Sequence, residues 1–262
     1  MVDTNNPYQA PDADLLRPEE PVSEELHPPR KTSAGHGWQW IADGWKLFAK
    51  APLIWVVNIL ILFAISFALA LIPLVSLLLN LLSPVFVGGL MAGCADQDAG
   101  RDLTVGHLFE GFKKNTGALI GVGLLYLIGI ILISLLVVGG FFLVGGGMEM
   151  VADMQSGQID PATVGPIMAI VVLLIVALVI PLAMAYWFAP ALVMQHNLGS
   201  LEAMKLSFRG CLKNIVPFLI YGIVLLVLGF LAMLPLFLGL LVLGPVVVAS
   251  IYTGYRDIFL HR

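Results

Sequence analysis

The sequence predicts an all-α integral membrane protein in which six transmembrane helices form three hairpin pseudo-repeats, each preceded by an amphipathic interfacial helix. The 262-residue chain is 59% hydrophobic, and only 11% of its residues are charged. Soluble domains contain about 25% charged residues, so this composition calls for lipid as the solvent. The apolar residues fall into six long runs, and every basic residue lies outside the interior of those runs, on one predicted side of the membrane.

The first 36 residues differ in composition from the rest of the chain. They hold seven acidic and three basic side chains, a net charge of −4, together with six of the 16 prolines. Such a segment buries too little apolar surface to offset the entropy of ordering, so we predict that 1–36 is a disordered cytoplasmic tail. Residues 37–262 are predicted to form the six-helix transmembrane domain. Within the tail, NPYQAP (6–11) is interpreted as disordered, with a docking peptide anchored by Tyr8 as the alternative.

Each of the six apolar runs is long enough to cross a bilayer, which requires about 20 mostly apolar residues. Pro73 and Pro235 separate two closely spaced pairs of runs and so predict two tight hairpins. The middle pair is longer and is separated by the more polar segment 149–165. The predicted spans are 52–72, 74–95, 117–147, 163–195, 215–234 and 236–256.

The distribution of charge predicts the orientation. With six spans, all 13 Lys and Arg residues lie on the side of the two termini, whereas the opposite side carries only Glu149, Asp153 and Asp160. Cytoplasmic loops of membrane proteins carry the excess of Lys and Arg. We therefore predict a multi-pass protein of the bacterial inner (plasma) membrane with both termini in the cytoplasm.

Three similar segments, WKLFAKA (45–51), FEGFKKN (109–115) and FRGCLKN (208–214), precede the first span of each hairpin. On a helix, the aromatic residue at the start of each segment shares a face with neighbouring apolar residues, and the Lys five positions later lies opposite. Such helices are predicted to lie in the membrane interface, the alternative being helices packed on protein. The candidate lipid-binding residues are Trp45, Lys46, Lys50, Phe109, Lys113, Lys114, Lys205, Phe208, Arg209 and Lys213.

The second spans also share a pattern. Pro84, Pro190 and Pro245 are each followed by Val three residues later and by Gly nine residues later. Together with the preceding segments, this spacing predicts three copies of one unit at about 36–98, 102–198 and 200–262.

No residue set for catalysis or cofactor binding is recognisable, so we expect a protein that is not an enzyme and binds neither metal nor nucleic acid. No charged side chain lies in the middle of a span, where proton relays and ion pathways place them. Asn58 and Asn80 are predicted to hydrogen-bond between helices, and Pro84 and Pro181 to kink theirs. Cys94 and Cys211 are expected to be reduced thiols.

Two stretches, GHGWQWIADGWKLFAKAPLIWV (35–56) and FAPALVMQHNLGSLEAMKLSFRGCLKNIVPFLIY (188–221), resemble a family of uncharacterised bacterial inner-membrane proteins with six spans. That family is more distantly similar to the membrane domain of glycerophosphoryl diester phosphodiesterases. The resemblance implies an all-helical membrane protein and brings no catalytic residues, because the phosphodiesterase domain itself has no counterpart in this chain.

The leading functional hypothesis is a non-enzymatic accessory or scaffold protein that engages anionic lipid headgroups or a membrane-protein partner. The alternative is a transporter or permease for a neutral or lipidic substrate, with a cavity near Asn58, Pro84 and Pro181. The substrate, the partner, the oligomeric state and the pathway are left open.

Overall fold

A computed structural model of the protein describes residues 25–72, 76–143, 147–148, 151, 155–156 and 161–261. The main elements in these ranges are helical. They are α1 (His36–Lys50), α2 (Pro52–Ala70), α3 (Ser76–Asp98), a 3₁₀ helix (Val105–Phe112), α4 (Thr116–Leu143), α5 (Pro161–Trp187), α6 (Ala189–His196), α7 (Ser200–Lys213), α8 (Ile215–Met233), α9 (Leu240–Tyr255) and a π-helical turn (Arg256–Leu260). We call α1, the 3₁₀ helix and α7 the surface helices.

Each surface helix ends where a long apolar helix begins, and local chemistry sets that break. Pro52 occupies the first turn of α2, where its missing N–H breaks no helical hydrogen bond. Asn115, between the 3₁₀ helix and α4, adopts a left-handed φ of 56°, which Asn tolerates better than most residues. Asn214 makes the corresponding break before α8. The ends of the three segments therefore coincide with helix boundaries.

Five helical stretches of the described chain are long and apolar enough to cross a membrane. They are Pro52–Ala70, Leu79–Asp98, Thr116–Phe142, Met168–His196 and Ile215–Met233. The sixth predicted span corresponds to α9, whose 16 residues extend about 24 Å at 1.5 Å per residue. The all-helical class with several membrane-spanning segments is thus confirmed, while the count of six spans stays a prediction.

The buried core lies at the end of the bundle that carries the surface helices. Among its fully buried members are Trp55, Leu90, Leu192, Tyr255 and Phe259. The far halves of the long helices instead expose large apolar side chains; Leu173 is 67% exposed and Leu226 73%. Such surfaces suit contact with lipid tails, which are as apolar as the side chains themselves.

The surface helices join the hairpins to one another. The 3₁₀ helix packs against α3, and α7 packs against α5, so each lies on the last helices of the preceding hairpin. α1 packs against α9, the last long helix of the chain, and thereby closes a ring. The close approach needs small residues: a Cβ at Gly44 would lie 2.7 Å from the Ser250 backbone nitrogen, and one at Gly111 would lie 2.1 Å from the Val85 carbonyl oxygen.

Two features differ from the expectations from the sequence. Residues 105–112 form a 3₁₀ helix, because Thr104 and His107 close a capping box at its start and Gly89 of α3 approaches it closely. Residues 25–35, expected within the disordered tail, lie against the helical domain through hydrogen bonds such as His27 N–H to the Phe259 carbonyl, 2.9 Å. We call residues 25–35 the strap. Residues 1–24, which include NPYQAP and Tyr8, lie outside the described residues.

Candidate lipid-headgroup interface

The candidate basic residues of α1 are already engaged within the protein. Lys46 pairs with Asp43 at 2.7 Å. Lys50 donates a hydrogen bond to the backbone carbonyl of Gln97 at 2.8 Å. Because Gln97 also accepts a hydrogen bond from the Trp55 indole at 3.0 Å, the position of Lys50 is tied to the packing of α2 against α3.

The basic residues around the 3₁₀ helix are paired with neighbouring carboxylates. Lys113 and Lys114 both face Glu110, at 3.2 and 3.6 Å. Arg101 pairs with Asp96 at 2.7 Å. Exposed pairs of this kind contribute little stability, but they reduce the positive charge that this part of the surface offers to a ligand.

The cations of α7 are different. Lys205 and Arg209 are exposed and have no hydrogen bond or ion pair among the residues that the structure describes. Lys213 donates to the Pro29 carbonyl at 3.0 Å, and no carboxylate in the described ranges pairs with it. Three cations, each one turn from the next, therefore form the positive edge of α7, and we call Lys205, Arg209 and Lys213 the α7 cations.

The aromatic residues of the three segments lie at the boundary between protein and surroundings. Trp45 is 52% exposed and Phe109 38% exposed, whereas Phe208 is half-buried. Other members of the same apolar stripes, such as Phe48 and Met204, are buried in the protein core. The surface helices thus pack on protein along one face and leave an aromatic edge exposed, while their placement in the membrane interface stays a prediction.

Asn214, the second residue of the Lys-Asn pair that precedes α8, holds the strap against the helical domain. Its fully buried carboxamide accepts hydrogen bonds from the backbone N–H and hydroxyl of Thr32, at 2.8 and 3.0 Å, and donates to the Arg30 carbonyl at 2.9 Å. Together with Lys213, it fixes the strap across the end of α7. The equivalent Asn115 donates to the Val193 carbonyl at 3.0 Å.

A second set of polar contacts joins the strap, α1 and the carboxyl end. Asp257 accepts hydrogen bonds from Arg30, from His36 and from the Trp40 indole, the latter two at 2.7 Å. Burial alone would raise the pKa of Asp257, but these three donors outweigh it and hold the pKa below its ordinary value. Sequence reasoning missed this cluster; the only signal was the acidic residue twelve positions after Pro245.

Two open grooves flank α7. The first, about 510 Å³, is lined by strap residues 26–29 and by Leu206, Arg209, Leu212 and Lys213; we call it the strap groove. The second, about 570 Å³, lies at the start of α7 and includes Glu202 and Lys205. Both cavities therefore contain α7 cations.

The residues suggested for a transport pathway lie elsewhere. Asn58 is fully buried, and its amide approaches the Thr104 carbonyl at 3.5 Å, while its side-chain oxygen has no partner in the described chain. Asn58, Pro84 and Pro181 line neither groove.

The described residues offer little for metal or thiol chemistry. Within the described ranges, no group of three or more His, Cys, Asp or Glu side chains could hold a metal ion. Cys94 and Cys211 are free and buried, and burial raises the pKa of the Cys211 thiol to about 12.

Comparison with known proteins gives one informative relative. A curated protein of Burkholderia thailandensis, named "Probable inner membrane protein", is 30% identical over 198 residues, which cover 74% of this chain and 73% of the relative. No family model and no solved structure matches. The resemblance to the membrane domain of glycerophosphoryl diester phosphodiesterases stays a prediction.

Proposed function

We propose that this chain, which belongs to the same family as the inner membrane protein of Burkholderia thailandensis, is a non-enzymatic accessory or scaffold protein that engages anionic lipid headgroups. It works at the cytoplasmic surface of the bacterial inner membrane. A membrane-protein partner can use the same lipid-bound surface.

The observation that carries this proposal is the uneven neutralisation of the basic residues. Carboxylates pair with Lys46, Lys113 and Lys114, whereas no carboxylate in the described part of the chain pairs with an α7 cation. A Lys or Arg near an anionic membrane surface contributes about 1 kcal/mol of binding free energy. Three of them beside exposed Leu201 and Leu212 make α7 the surface helix best suited to anionic headgroups.

The proposal includes six spans with both termini in the cytoplasm. α8 and α9 follow α7 as a hairpin, and a crossing α9 returns the carboxyl end to the side of the surface helices. Contacts of Arg30, His36 and Trp40 with Asp257 support the proposal that both ends of the domain share one side. Placing all 13 Lys and Arg residues on that side fits the orientation rule.

We also propose that the three hairpins are copies of one unit. The ring in which each surface helix packs on the last helices of the preceding hairpin supports this. So do equivalent positions: Gly44 and Ser207 each lie at the crossing with that preceding helix, Gly44 against Ser250 and Ser207 through a hydrogen bond to the Met184 carbonyl, 2.7 Å.

Removing the charge of two α7 cations, Lys205 and Arg209, tests the proposed binding of anionic lipid. The full-length variant with Lys205→Gln and Arg209→Gln is expected to retain markedly less phosphatidylglycerol than the natural sequence, by up to about 30-fold if each cation contributes about 1 kcal/mol. Retention is measured by native mass spectrometry of the protein released from lipid nanodiscs.

The matched control is the variant with Lys113→Gln and Lys114→Gln, which removes the same number of charges from a surface already paired with Glu110. We expect a much smaller loss for this control. Equal retention by the α7 variant and the natural sequence would contradict the proposed function.

A further inference from the structure

We propose that the strap groove is a binding site for one anionic phospholipid, with its phosphate between Arg209 and Lys213 and its acyl chains along the exposed face of α8. This inference rests on the proposed function and deepens it, because it assigns the lipid to one groove instead of the whole basic surface.

The groove has the charge that a phosphate requires. Arg209 has no partner among the described residues, and its planar guanidinium can donate two parallel hydrogen bonds to phosphate oxygens. Lys213 lies one turn further along α7 and keeps its full charge, because its ammonium donates only to a neutral backbone carbonyl. The residues that line the groove include no carboxylate, although exposed Glu25 immediately precedes them in the chain.

The groove also has a wall that is already in place. The strap is held by backbone hydrogen bonds: the N–H groups of His27 and Arg30 donate to the carbonyls of Phe259 and Ile258, at 2.9 and 3.0 Å. Lys213 fixes Pro29 from the other side at 3.0 Å. A ligand that enters this groove therefore orders little of the protein, which favours binding.

An apolar surface continues from the groove in the direction of the membrane. Leu212 at the edge of the groove is 50% exposed, and Ile215, Val216 and Leu219 at the start of α8 are 56%, 57% and 63% exposed. α8 is one of the helices long and apolar enough to span the bilayer. A headgroup at Arg209 thus places its acyl chains beside this stripe, which a water-soluble phosphate compound would leave uncovered. The combination of cations and apolar stripe selects a lipid.

The second groove provides a comparison within the same helix. It contains Lys205, but Glu202 also lines it, so the charged side chains of this groove carry no net positive charge although the two form no ion pair among the described residues. Lys205 and Arg209 are one turn apart, are both exposed and both lack a partner among the described residues. Replacing either by Gln removes one positive charge from α7. The two variants differ in the groove that they affect and in the group that is lost, a guanidinium or an ammonium, and Arg209→Lys controls for the second difference.

The test titrates phosphatidylglycerol, with phosphatidylcholine as the neutral reference, into detergent-solubilised full-length protein and counts bound lipids by native mass spectrometry. We expect Arg209→Gln to weaken the binding of the first phosphatidylglycerol about tenfold, as loss of a hydrogen bond to a charged group does. Lys205→Gln should change it less than about twofold, and Arg209→Lys should recover part of the affinity. Phosphatidylcholine binding should be the same in all three variants.

Photoreactive phosphatidylglycerol provides a readout on the natural sequence that does not depend on how a variant folds. Crosslinks should concentrate in peptides that contain strap residues 26–29 and residues 206–213. Equal losses with Arg209→Gln and Lys205→Gln, or crosslinks spread evenly over the three surface helices, would overturn the groove assignment. The proposed function would survive either result, since it fails only if removing both cations leaves lipid retention unchanged.

Discussion

At the scale of single residues, buried polar groups at the ends of the domain hold the fold together. Asp257 is 6% exposed and receives hydrogen bonds from residues that are more than 200 positions earlier in the sequence. An ionised carboxylate in such a place is stable only because its donors replace the water that it has lost. Apart from the acidic residue twelve positions after Pro245, no sequence pattern indicates this arrangement, since the four residues belong to three separate elements.

Asp257→Asn should lower the thermal stability of the domain, with a loss of about 2–3 kcal/mol, the usual contribution of hydrogen bonds to a charged group. Because the folded pKa of Asp257 is lowered, the ionised form is stabilised by folding. Its contribution is complete above the ordinary value of 3.8 and is lost as the pH falls through the folded pKa. Thermal unfolding in detergent over a pH series measures this, and a difference from the natural sequence that does not shrink at acidic pH would argue against the cluster.

Asn214→Ala should release the strap. The variant removes the acceptor of Thr32 and the donor to the Arg30 carbonyl, so amide hydrogens of residues 27–32 should exchange faster. Hydrogen exchange read by mass spectrometry detects the change. Asn80→Ala is the control, because the exposed Asn80 makes no such contact with the strap and its loss should leave exchange there unaltered.

At the scale of elements, the apolar runs of the sequence predicted the long helices well. The run 215–234 became Ile215–Met233, and the first run became Pro52–Ala70. The length and composition of the runs suffice here because each helix satisfies its own backbone hydrogen bonds and needs only an apolar surface. The 3₁₀ helix was missed because its geometry depends on the Thr104–His107 capping box and on the close approach of α3, which are a local and a tertiary contact.

Gly44→Ala should loosen the closure of α1 on α9. The added methyl group would lie 2.7 Å from the Ser250 nitrogen and 2.9 Å from the Val246 carbonyl oxygen, and overpacking of this kind destabilises by about 1–3 kcal/mol. A lowered unfolding temperature is the expected readout.

Gly222→Ala in α8 is the matched control for this change, because no atom lies within 4 Å of the added Cβ. Ala favours helix more than Gly, so this variant should be neutral or slightly stabilised. If both variants had the same unfolding temperature, close packing of α1 on α9 could not explain the effect of Gly44→Ala.

At the scale of the whole molecule, the three hairpins are joined at one end by their surface helices and the strap. The sequence predicted which residues form the basic side, but it could not separate the neutralised cations from the free ones. That distinction depends on which carboxylates lie nearby: Glu110 serves both Lys113 and Lys114, whereas Glu202 forms no ion pair with Lys205 or Arg209 among the described residues. The ring closure was equally hidden, because it joins the first and last elements.

In the proposed topology, the chain crosses the membrane six times and keeps every Lys and Arg in the cytoplasm. Two fusion positions test this topology, one after residue 150 and one at the carboxyl end. Each position is fused to alkaline phosphatase, which is active only outside the cytoplasm, and separately to a fluorescent protein that folds only in the cytoplasm. We expect the reporter after residue 150 to be external and the reporter at the carboxyl end to be cytoplasmic. Both reporters in the same compartment would contradict it.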